Sequence, residues 1–354
     1  MAKVLMKGNE VIAEAAVHAG CKYFFGYPIT PQSELVAYMA RRLPEVGGLF
    51  LQAESEVAAI NMVYGAACTG VRVMTSSSSP GFSLKQEGIS YLVGAELPAV
   101  VVNVVRGGPG LGNIQPAQSD YFQVTKGGGH GDYYTPVLAP SSLQEIVDLT
   151  QDAFDMAERY RTPVILLGDG MLGQMMEPVE FGDLAERAQV PKKWATTGTR
   201  GDGERRVISS LDLDADALEA RNIKLQKKFA EIKENEVRYE TYLIEDAEFI
   251  VAAFGTVARI AMNAINRARQ QGIKVGMIRP ISLWPFPEQP FHETRDRVKA
   301  YLSVEMSAGQ MVEDVRLSVE GRASVEFYGR NGGVVPTQEE IFAKIAELAG
   351  RVAV

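Results

Sequence analysis

The sequence predicts an α/β protein in which a doubly wound domain with a parallel sheet is followed by a second, smaller α/β domain. Three apolar runs suit strands that are covered on both faces: Cys21–Phe25, Pro98–Val105 and Thr162–Leu167. Amphipathic helical patterns lie between such runs, as in Ser141–Tyr160, where a serine can cap the helix. A second alternation of strands and helices begins at Glu248. This alternation is typical of sheets with helices packed on both faces.

The chain has 354 residues, which is too long for one average domain. We expect a first domain over residues 1–176 and a C-terminal α/β domain over residues 246–354. Residues 177–245 are rich in charge and are interrupted by proline and glycine, and a long polar helix is predicted over 218–239. We expect contacts with other parts of the chain, or with other subunits, to order this connecting segment.

The composition excludes several classes of protein. Hydrophobic residues make up 46% of the chain and charged residues 23%, as in ordinary globular proteins. The net charge of −8 argues against nucleic-acid binding, which would need a basic face. The sequence has no polybasic segment and no apolar run of about 20 residues, so no membrane interaction is expected. Glu10 and Glu14 interrupt the pattern of a secretory signal, and we expect a cytoplasmic protein.

The cysteine content agrees with that location. Cys21 and Cys68 are the two cysteines of the chain, and neither lies in a Cys-x-x-Cys motif. They cannot form a disulfide framework. An iron–sulfur cluster usually needs about four cysteine ligands, so we expect none in this chain, and we predict no metal site.

The turn that follows the first apolar strand is the first candidate for a binding site. Gly26 and Pro28 end the strand, Thr30 is predicted as the N-cap of the next helix, and Pro31 as its first residue. A strand tip and the positive end of a helix then meet, and ligands of open α/β sheets bind at such places. The alternative is a well-capped turn with no further role.

Two glutamates precede the apolar helix Val57–Ala67. Glu54 and Glu56 are either partners of the helix dipole, worth about 0.3–1 kcal/mol, or desolvated groups suited to acid–base chemistry. The loop Ser76–Gly81 carries free hydroxyls after another strand. We leave open whether it is a plain turn or a ligand cradle.

Arg106 follows the most apolar strand and opens a glycine-rich loop, residues 107–120. This loop is too long for a plain connection. Its glycine spacing fits neither a phosphate loop nor a dinucleotide fingerprint, which weakens the hypothesis of a nicotinamide-dependent dehydrogenase. A second glycine cluster, residues 127–132, contains His130, for which a place in an ordinary loop is favoured over a catalytic role.

Six short motifs, taken together and in order, resemble the alpha subunit of the 2-oxoacid:ferredoxin oxidoreductases. They are Gly8-Asn9-Glu10, Tyr27-Pro28-Ile29-Thr30-Pro31, Glu54-Ser55-Glu56, Arg106-Gly107-Gly108-Pro109, Gln118-Ser119-Asp120 and Glu305-Met306-Ser307-Ala308-Gly309-Gln310-Met311. Each motif alone would be weak evidence, but the set spans nearly the whole chain. The resemblance implies a thiamine diphosphate domain of the pyrimidine-binding type, followed by a domain similar to the C-terminal domain of transketolase.

The resemblance also implies roles for individual residues at the cofactor. In this family thiamine diphosphate forms a carbanion after its own aminopyrimidine takes up a proton, and a buried carboxylic acid beside a pyrimidine nitrogen promotes that step. Glu56 matches the family's glutamate, with Glu54 as the fallback. Tyr27, Pro28 and Ile29 are the other residues expected at the cofactor.

Two further residues are expected to act on the substrate. A planar guanidinium binds a carboxylate bidentately, and Arg106 matches the family's substrate arginine. The alternative for Arg106 is an ion pair with an acid of its loop. The resemblance implies that Thr30 donates its hydroxyl to the substrate, a role that competes with capping a helix. Glu56, Thr30 and Arg106 are thus the predicted catalytic residues.

The chain is expected to hold half of the cofactor site. Gly168-Asp169-Gly170 resembles the first part of a diphosphate-binding motif, but residues 194–200 lack the asparagine that would complete it. We therefore interpret it as an ordinary strand end. The resemblance implies a beta subunit that binds the diphosphate and Mg²⁺, gamma and ferredoxin-like delta subunits that hold iron–sulfur clusters, and ferredoxin as electron acceptor.

The function implied is oxidative decarboxylation of a 2-oxoacid to acyl-CoA, with electrons passed to ferredoxin. Within this family the compact chain length and the loop Arg106–Asn113 most resemble the branched-chain type, which implies 3-methyl-2-oxobutanoate as the substrate. A 2-oxoglutarate enzyme is the alternative, and a non-catalytic assembly subunit of the same fold is a second one.

Overall fold

The computed structural model describes residues 3–182, 192–198 and 205–352. Within these residues the strands are β1 (Val4–Lys7), β2 (Tyr23–Gly26), β3 (Leu49–Gln52), β4 (Val73–Ser77), β5 (Ala99–Val105), β6 (Val137–Leu138), β7 (Pro163–Asp169), β8 (Met176–Val179), β9 (Tyr239–Tyr242), β10 (Phe249–Ala252), β11 (Val275–Pro280), β12 (Ser282–Trp284), β13 (Ala300–Glu305) and β14 (Ser324–Gly329). The helices are α1 (Gly8–His18), α2 (Ser33–Glu45), α3 (Glu56–Cys68), α4 (Ser79–Leu84), α5 (Gln86–Gly94), α6 (Tyr121–Thr125), α7 (Leu143–Tyr160), α8 (Gly170–Gln174), α9 (Ala215–Asn235), α10 (Gly255–Gln270), α11 (Gln289–Thr294), α12 (Met311–Val319) and α13 (Gln338–Val352).

The first sheet has the strand order β12-β6-β7-β5-β4-β2-β3. Its pairings are parallel except that of β12 with β6. All seven residues of β5 are buried, because a valine-rich strand in the middle of a sheet is covered on both faces. Helices α1, α2 and α7 pack together, and α3, α4 and α5 form a second group. The predicted doubly wound domain is confirmed.

The second sheet has the order β14-β13-β10-β11-β9, with β9 antiparallel to β11 and the other pairs parallel. Its core includes Val251, Val304 and Ile345, and α10 packs on α13. This is the predicted smaller α/β domain.

Two short strands exchange between the regions that the sequence separates. β9 belongs to the predicted connecting segment, residues 177–245, yet it completes the second sheet. β12 belongs to the predicted C-terminal domain, residues 246–354, yet it pairs with β6 of the first sheet. The boundaries at 176 and 245 stay a prediction. Each of these two strands pairs with a strand on the other side of a predicted boundary.

The long polar helix of the connecting segment is α9, which lies within a few residues of the predicted range. Its buried side chains include Phe229, whose ring packs edge-on against Tyr134 and Trp284. One of these rings belongs to the first region and the other to β12. This helix therefore contacts both parts of the chain, and the idea that such contacts order the connecting segment stays a prediction.

Polar contacts hold the second domain against the glycine-rich loop. The Gln118 side chain donates to the carbonyl of Phe254 at 3.0 Å and accepts from the backbone N–H of Met306 at 3.0 Å. The buried Arg279 guanidinium pairs with Glu145 at 2.6 Å and with Glu240 at 2.7 Å. The loop after β5 thus has a fixed position between the two sheets.

None of the helices in the part of the chain that the structure describes combines the length and the apolar composition needed to span a membrane.

Candidate active site

The carboxyl ends of β2, β4 and β5 lie side by side at one edge of the first sheet. The segment Tyr27–Pro31 follows β2, Ser78 follows β4, and Arg106 follows β5. Glu56 opens α3, just after β3, the neighbour of β2. The structure thus brings the predicted site residues to the edge where open α/β sheets bind ligands.

The prediction that Thr30 caps a helix is wrong. Helix α2 begins at Ser33 with Gln32 at the N-cap position, so Pro31 is not its first residue either. Asn9 of α1 donates to the carbonyl of Pro31 at 2.8 Å and to the Glu34 carboxylate at 3.0 Å. These contacts hold the turn outside the helix, and the exposed Thr30 hydroxyl caps nothing.

The three residues expected at the cofactor lie before this turn. Tyr27 and Pro28 are exposed, and Ile29 is half-buried. They form part of the open surface of this edge.

Arg106 is 7% exposed, and its guanidinium binds backbone carbonyls. One terminal nitrogen donates to the carbonyl of Thr30 and the other to that of Leu111, both at 3.0 Å. The buried Nε has no partner. In the residues that the structure describes, Arg106 makes no ion pair, so the alternative of a bond to an acid of its loop is not found. No acidic side chain of the described residues neutralises its positive charge.

The glycine-rich loop folds back on itself beside Arg106. The N–H of Gly107 donates to the carbonyl of Gln115 at 2.9 Å, and the N–H of Asn113 donates to that of Gly107 at 3.0 Å. Gly112 has a φ of +57°, and a Cβ there would stand 1.8 Å from the Gly107 oxygen, so only glycine fits. The fold of the loop displays Leu111, 81% exposed, together with Ile114.

Glu56 is the first residue of α3 and is 6% exposed. Ser55 caps the helix, its hydroxyl accepting from the N–H of Ala58 at 3.1 Å. A Cβ on Gly81 would lie 2.3 Å from Glu56 Oε1 and 2.3 Å from Ser77 Oγ, so both oxygens face the Cα of Gly81. Among the described residues, no hydrogen-bond donor reaches the Glu56 carboxylate. Its oxygens are not among the fully enclosed polar atoms that lack a partner, so the carboxylate keeps access to the surface of this edge, where a group from outside the chain can reach it.

Glu54 is exposed, in contrast to Glu56. Burial therefore separates the preferred residue from the fallback. Glu56 also lies in the first turn of α3, where a carboxylate interacts favourably with the helix dipole. The dipole interaction does not replace the missing hydrogen bonds.

The serine-rich stretch before Gly81 is not a plain turn. Ser76 and Ser77 belong to β4, and α4 begins at Ser79. The hydroxyls of Ser77 and Ser78 are buried without hydrogen-bond partners, although nearly all buried polar groups in proteins have one. These orphaned hydroxyls at a strand end favour the ligand-cradle interpretation.

Helix α4 connects the two charged residues of the site. Its Gly81 lies against Glu56. Its Ser79 accepts from the backbone N–H of Arg106 at 3.0 Å and donates to the carbonyl of Arg106 at 3.2 Å. The Arg106 guanidinium in turn donates to the carbonyl of Thr30. One continuous set of contacts thus joins Glu56, Arg106 and Thr30.

Three polar residues that were not predicted as site residues also belong to this edge: Lys85, Gln32 and Asn9, of which Asn9 was noted only as part of a motif. Lys85 is fully buried and lies under Glu56. Gln32 is fully buried and accepts from the Ser76 hydroxyl at 2.6 Å. A polar residue in or beside a helical pattern is predicted to lie on the surface, so the burial of these three residues becomes apparent only from the packing.

Asp169 has a local role that agrees with its interpretation as a strand end. Its carboxylate caps α8, accepting from the N–H groups of Met171 at 2.9 Å and Leu172 at 3.0 Å. Burial raises the pKa of Asp169. His130 lies exposed in its loop with its ring against Tyr91, and the structure does not bring it to the edge that carries Glu56.

Two clefts lie elsewhere on the described surface. One of about 1170 Å³ separates the second glycine cluster from α9. Another of about 680 Å³ lies between α4, the glycine-rich loop and the second domain. Neither is lined by Glu56, Thr30 or Arg106. No group of three or more histidine, cysteine, aspartate or glutamate side chains that could hold a metal occurs among the described residues.

Comparison with known families defines the class of protein first. Residues 14–251 match the family model described as pyruvate flavodoxin/ferredoxin oxidoreductase, thiamine diphosphate-binding, and residues 247–341 match the model of pyruvate:ferredoxin oxidoreductase core domain II. The chain is therefore a thiamine diphosphate-binding α/β protein with a second domain of this type.

Individual relatives narrow the class. The chain is 52% identical to the ketoisovalerate oxidoreductase subunit VorB of Methanothermobacter marburgensis, over 99% of both chains. It is 36% identical to the 2-oxoglutarate synthase subunit KorA of Methanothermobacter thermautotrophicus, over 97% of this chain and 98% of that one. The chain belongs to the 2-oxoacid:ferredoxin oxidoreductase family, as an alpha-type subunit.

Solved structures agree on the architecture. A 2-oxoglutarate:ferredoxin oxidoreductase from Magnetococcus marinus, solved with 2-oxoglutarate, coenzyme A and succinyl-CoA bound, matches with a TM-score of 0.88 at 27% identity. The match covers 98% of this chain and 65% of that longer chain. A split-gene transketolase, an inactive β4 tetramer, matches with a TM-score of 0.60 at 14% identity, a similarity of fold alone.

Proposed function

We propose that this chain is the alpha subunit of a branched-chain 2-oxoacid:ferredoxin oxidoreductase, in which Glu56 faces the aminopyrimidine of thiamine diphosphate and Arg106 binds the substrate carboxylate. The complete enzyme converts 3-methyl-2-oxobutanoate and coenzyme A to the acyl-CoA and passes the electrons to ferredoxin. A partner subunit supplies the diphosphate half of the cofactor site.

The observation that carries this proposal is the Glu56 carboxylate, which belongs to a largely buried residue, keeps access to the surface of this edge and is reached by no donor of the described chain. A protonated or hydrogen-bonding ring nitrogen would satisfy it. The orphaned hydroxyls of Ser77 and Ser78 lie at the same edge and offer further polar contacts to a heterocycle. These residues fit an aminopyrimidine, which has both donors and acceptors on its rim.

The residues of this chain have separate tasks. When bound, thiamine diphosphate supplies the carbon nucleophile of the decarboxylation. Glu56 holds a proton at the pyrimidine nitrogen through its Oε atoms, and its burial strengthens that bond. The exposed Tyr27 and Pro28 and the half-buried Ile29 offer an apolar surface against which the pyrimidine ring packs.

Arg106 and Thr30 act on the substrate side. The Arg106 guanidinium has no acidic partner among the residues that the structure describes, and a 2-oxoacid carboxylate would neutralise its charge. Thr30 lies beside it, because the Thr30 carbonyl accepts from Arg106. Its hydroxyl does not cap a helix, so it is free to donate to the substrate.

The loop that holds Arg106 favours an apolar substrate side chain. Leu111 and Ile114 are exposed on it, and branched aliphatic groups suit a branched-chain acid. A second carboxylate, as in 2-oxoglutarate, would be desolvated against these side chains. The higher identity to the ketoisovalerate subunit than to the 2-oxoglutarate subunit supports the same choice.

The remaining parts of the enzyme belong to other subunits. The two cysteines of this chain do not suffice for an iron–sulfur cluster. A beta subunit would bind the diphosphate and Mg²⁺, gamma and ferredoxin-like delta subunits would complete the complex, and the partner-held clusters would pass electrons to ferredoxin. We expect this complex in the cytoplasm.

The test is reduction of a viologen dye by the complex, produced by co-expression with the subunits encoded beside it, with coenzyme A and a panel of 2-oxoacids. We expect 3-methyl-2-oxobutanoate to give the highest kcat/KM. A preference for 2-oxoglutarate would keep the mechanism and contradict the substrate. No turnover with any 2-oxoacid would contradict the function and favour an assembly subunit.

The role of Glu56 is tested in the same assay. Glu56→Gln should lower kcat about 10²–10⁴-fold, because loss of a positioned acid or base has an effect of this size. Glu54→Gln is the matched control, since Glu54 is exposed and two residues away. Equal losses in both variants would contradict the assignment to Glu56.

A further inference from the structure

Lys85 is a buried cation at the junction of α4 and α5, where it is both the C-cap residue of α4 and the N-cap residue of α5. Its side chain is 0% exposed. Full burial of a lysine is rare unless the ammonium is paired with a carboxylate. The reason for its burial therefore lies in what it contacts.

The Lys85 ammonium makes two hydrogen bonds, and both acceptors are neutral. It donates to the hydroxyl of Thr75 in β4 at 3.1 Å. It also donates to the backbone carbonyl of Glu56 at 3.4 Å. Lys85 thus ties the first residue of α3 to the central sheet.

Other buried cations of the described chain show how a structural cation is usually held. The Arg279 guanidinium, 3% exposed, bonds directly to the carboxylates of Glu145 and Glu240. Lys85 has no ion pair of that kind. An ammonium without a contacting carboxylate is an unfavourable choice for stability alone.

The charge that does act on Lys85 is that of Glu56. Burial lowers the pKa of Lys85 to about 8, and the negative charge of Glu56 opposes this shift. Glu56 is the one charged group among the described residues with a resolved effect on Lys85. Glu87 on α5 is exposed and accepts from Tyr91 instead, and Thr75 on β4 carries no charge. Lys85 and Glu56 therefore form a coupled pair in which the ammonium contacts the backbone carbonyl of Glu56 and makes no bond to its carboxylate.

We propose that Lys85 is a positioning residue for Glu56: it fixes the first turn of α3 and supplies the positive charge that stabilises the ionised Glu56 carboxylate. This inference rests on the proposed function, because it assumes that Glu56 faces the aminopyrimidine. Lys85 is too deeply buried to contact cofactor or substrate, so it acts through Glu56. The charge of Glu56 then depends on a residue that lies behind it.

The test measures thiamine diphosphate binding to the assembled complex in the absence of substrate. The dissociation constant is followed by quenching of protein fluorescence across the pH range in which the complex is folded. The variants are Glu56→Gln, Lys85→Met and Lys85→Gln. Lys228→Met is the matched control. Lys228 of α9 is another largely buried lysine, and its ammonium pairs with the Glu96 carboxylate at 3.0 Å.

Glu56→Gln should abolish one step in the pH dependence of the dissociation constant, and that step identifies Glu56. Lys85→Met and Lys85→Gln should move the midpoint of this step to higher pH, since each removes a nearby positive charge. Lys228→Met should leave the midpoint unchanged. If Lys85→Met does not assemble, Lys85→Gln, which keeps a polar end, decides the question.

The outcomes separate the two proposals. A midpoint that stays in place in both Lys85 variants, while Glu56→Gln abolishes the step, would overturn the role of Lys85 and leave the proposed function intact. A uniform loss of affinity at every pH would also overturn it, since that is the result of a merely structural role. A pH dependence that survives Glu56→Gln would overturn the assignment of Glu56 and, with it, this inference.

Discussion

Glu56 and Glu305 are two buried carboxylates that are held in opposite ways. Glu56 is the first residue of α3, whereas Glu305 ends β13 and its carboxylate lies against the start of α12. Glu305 is 0% exposed and accepts hydrogen bonds from two side-chain hydroxyls and three backbone N–H groups at the start of α12. Glu56 is nearly as deeply buried, yet no donor of the described chain reaches its carboxylate. Both residues belong to motifs on which the family resemblance rests.

The difference teaches how a structural acid can be distinguished from a functional one. Sequence motifs do not separate the two, because each glutamate belongs to a motif on which the family resemblance rests. Satisfaction of the carboxylate does separate them. A carboxylate with a full set of donors is an internal cap, whereas one in a largely buried residue that lacks donors and keeps surface access is available to a group from outside the chain.

The largest expected effect on stability is at Glu305. Glu305→Ala would leave three backbone N–H groups and two hydroxyls without their acceptor, so the free energy of unfolding should fall by more than about 3 kcal/mol. Urea unfolding of the purified chain measures this. Glu305→Gln is the control, because its amide oxygen still accepts, and its loss should be smaller. Equal losses in both variants would show that the negative charge, and not the number of acceptors, matters.

The next largest effect is on the pH dependence of the free energy of unfolding, and it is due to Lys85. The pKa of Lys85 is lowered from 10.5 to about 8 in the folded chain, so the unfolded chain binds more protons between these values. Stability therefore rises with pH in that window. Relative to Lys85→Met, the wild-type chain should gain on the order of 2–3 kcal/mol between pH 7 and pH 10. Urea unfolding at both pH values measures this, and a difference that does not change with pH would contradict it.

A smaller effect is expected at the cap of α3. Ser55→Ala removes the hydroxyl that accepts from Ala58 and should lower the free energy of unfolding by about 1 kcal/mol. Ser55→Asp is the matched control, because aspartate caps equally well and should retain most of the stability. If alanine and aspartate behave alike in urea unfolding, the cap does not hold Glu56 in place.

The smallest expected effect on stability is at Glu56 itself. Glu56→Gln removes no hydrogen bond within the described chain, so the free energy of unfolding should change by less than about 1 kcal/mol. The same variant should nearly abolish turnover. A loss of stability as large as that of Glu305→Ala would show that Glu56 has a structural role after all, and the comparison of the two glutamates would fail.

The sequence predicted much of the fold because the arrangement of the first sheet follows from local hydrophobic patterns. The continuous apolar run that became β5 predicted a central strand, and the strand–helix alternation predicted a doubly wound sheet. The edge that carries Arg106 and Glu56 followed from the rule that ligands bind at the carboxyl ends of parallel strands. These features depend on periodicity, which a single sequence displays.

Features set by tertiary contacts could not be predicted in this way. Threonine is a residue type that is favoured at the N-cap position, but the hydrogen bond from Asn9 to the Pro31 carbonyl holds the turn that contains Thr30 away from the helix. Lys85 has the character of a surface residue, and its burial becomes apparent only when α3 and β4 are packed around it. Local propensity is a weak prior, and tertiary contacts decided both cases.

The exchange of β9 and β12 has a consequence for the order in which the chain can fold during synthesis. β12, an edge strand of the first sheet, is translated only after β9, β10 and β11 of the second sheet. A nascent chain therefore completes the first sheet only when the second is half made. The two sheets therefore depend on each other during synthesis as well as in the folded chain. A gene divided at codon 245 would leave each sheet without one of its edge strands.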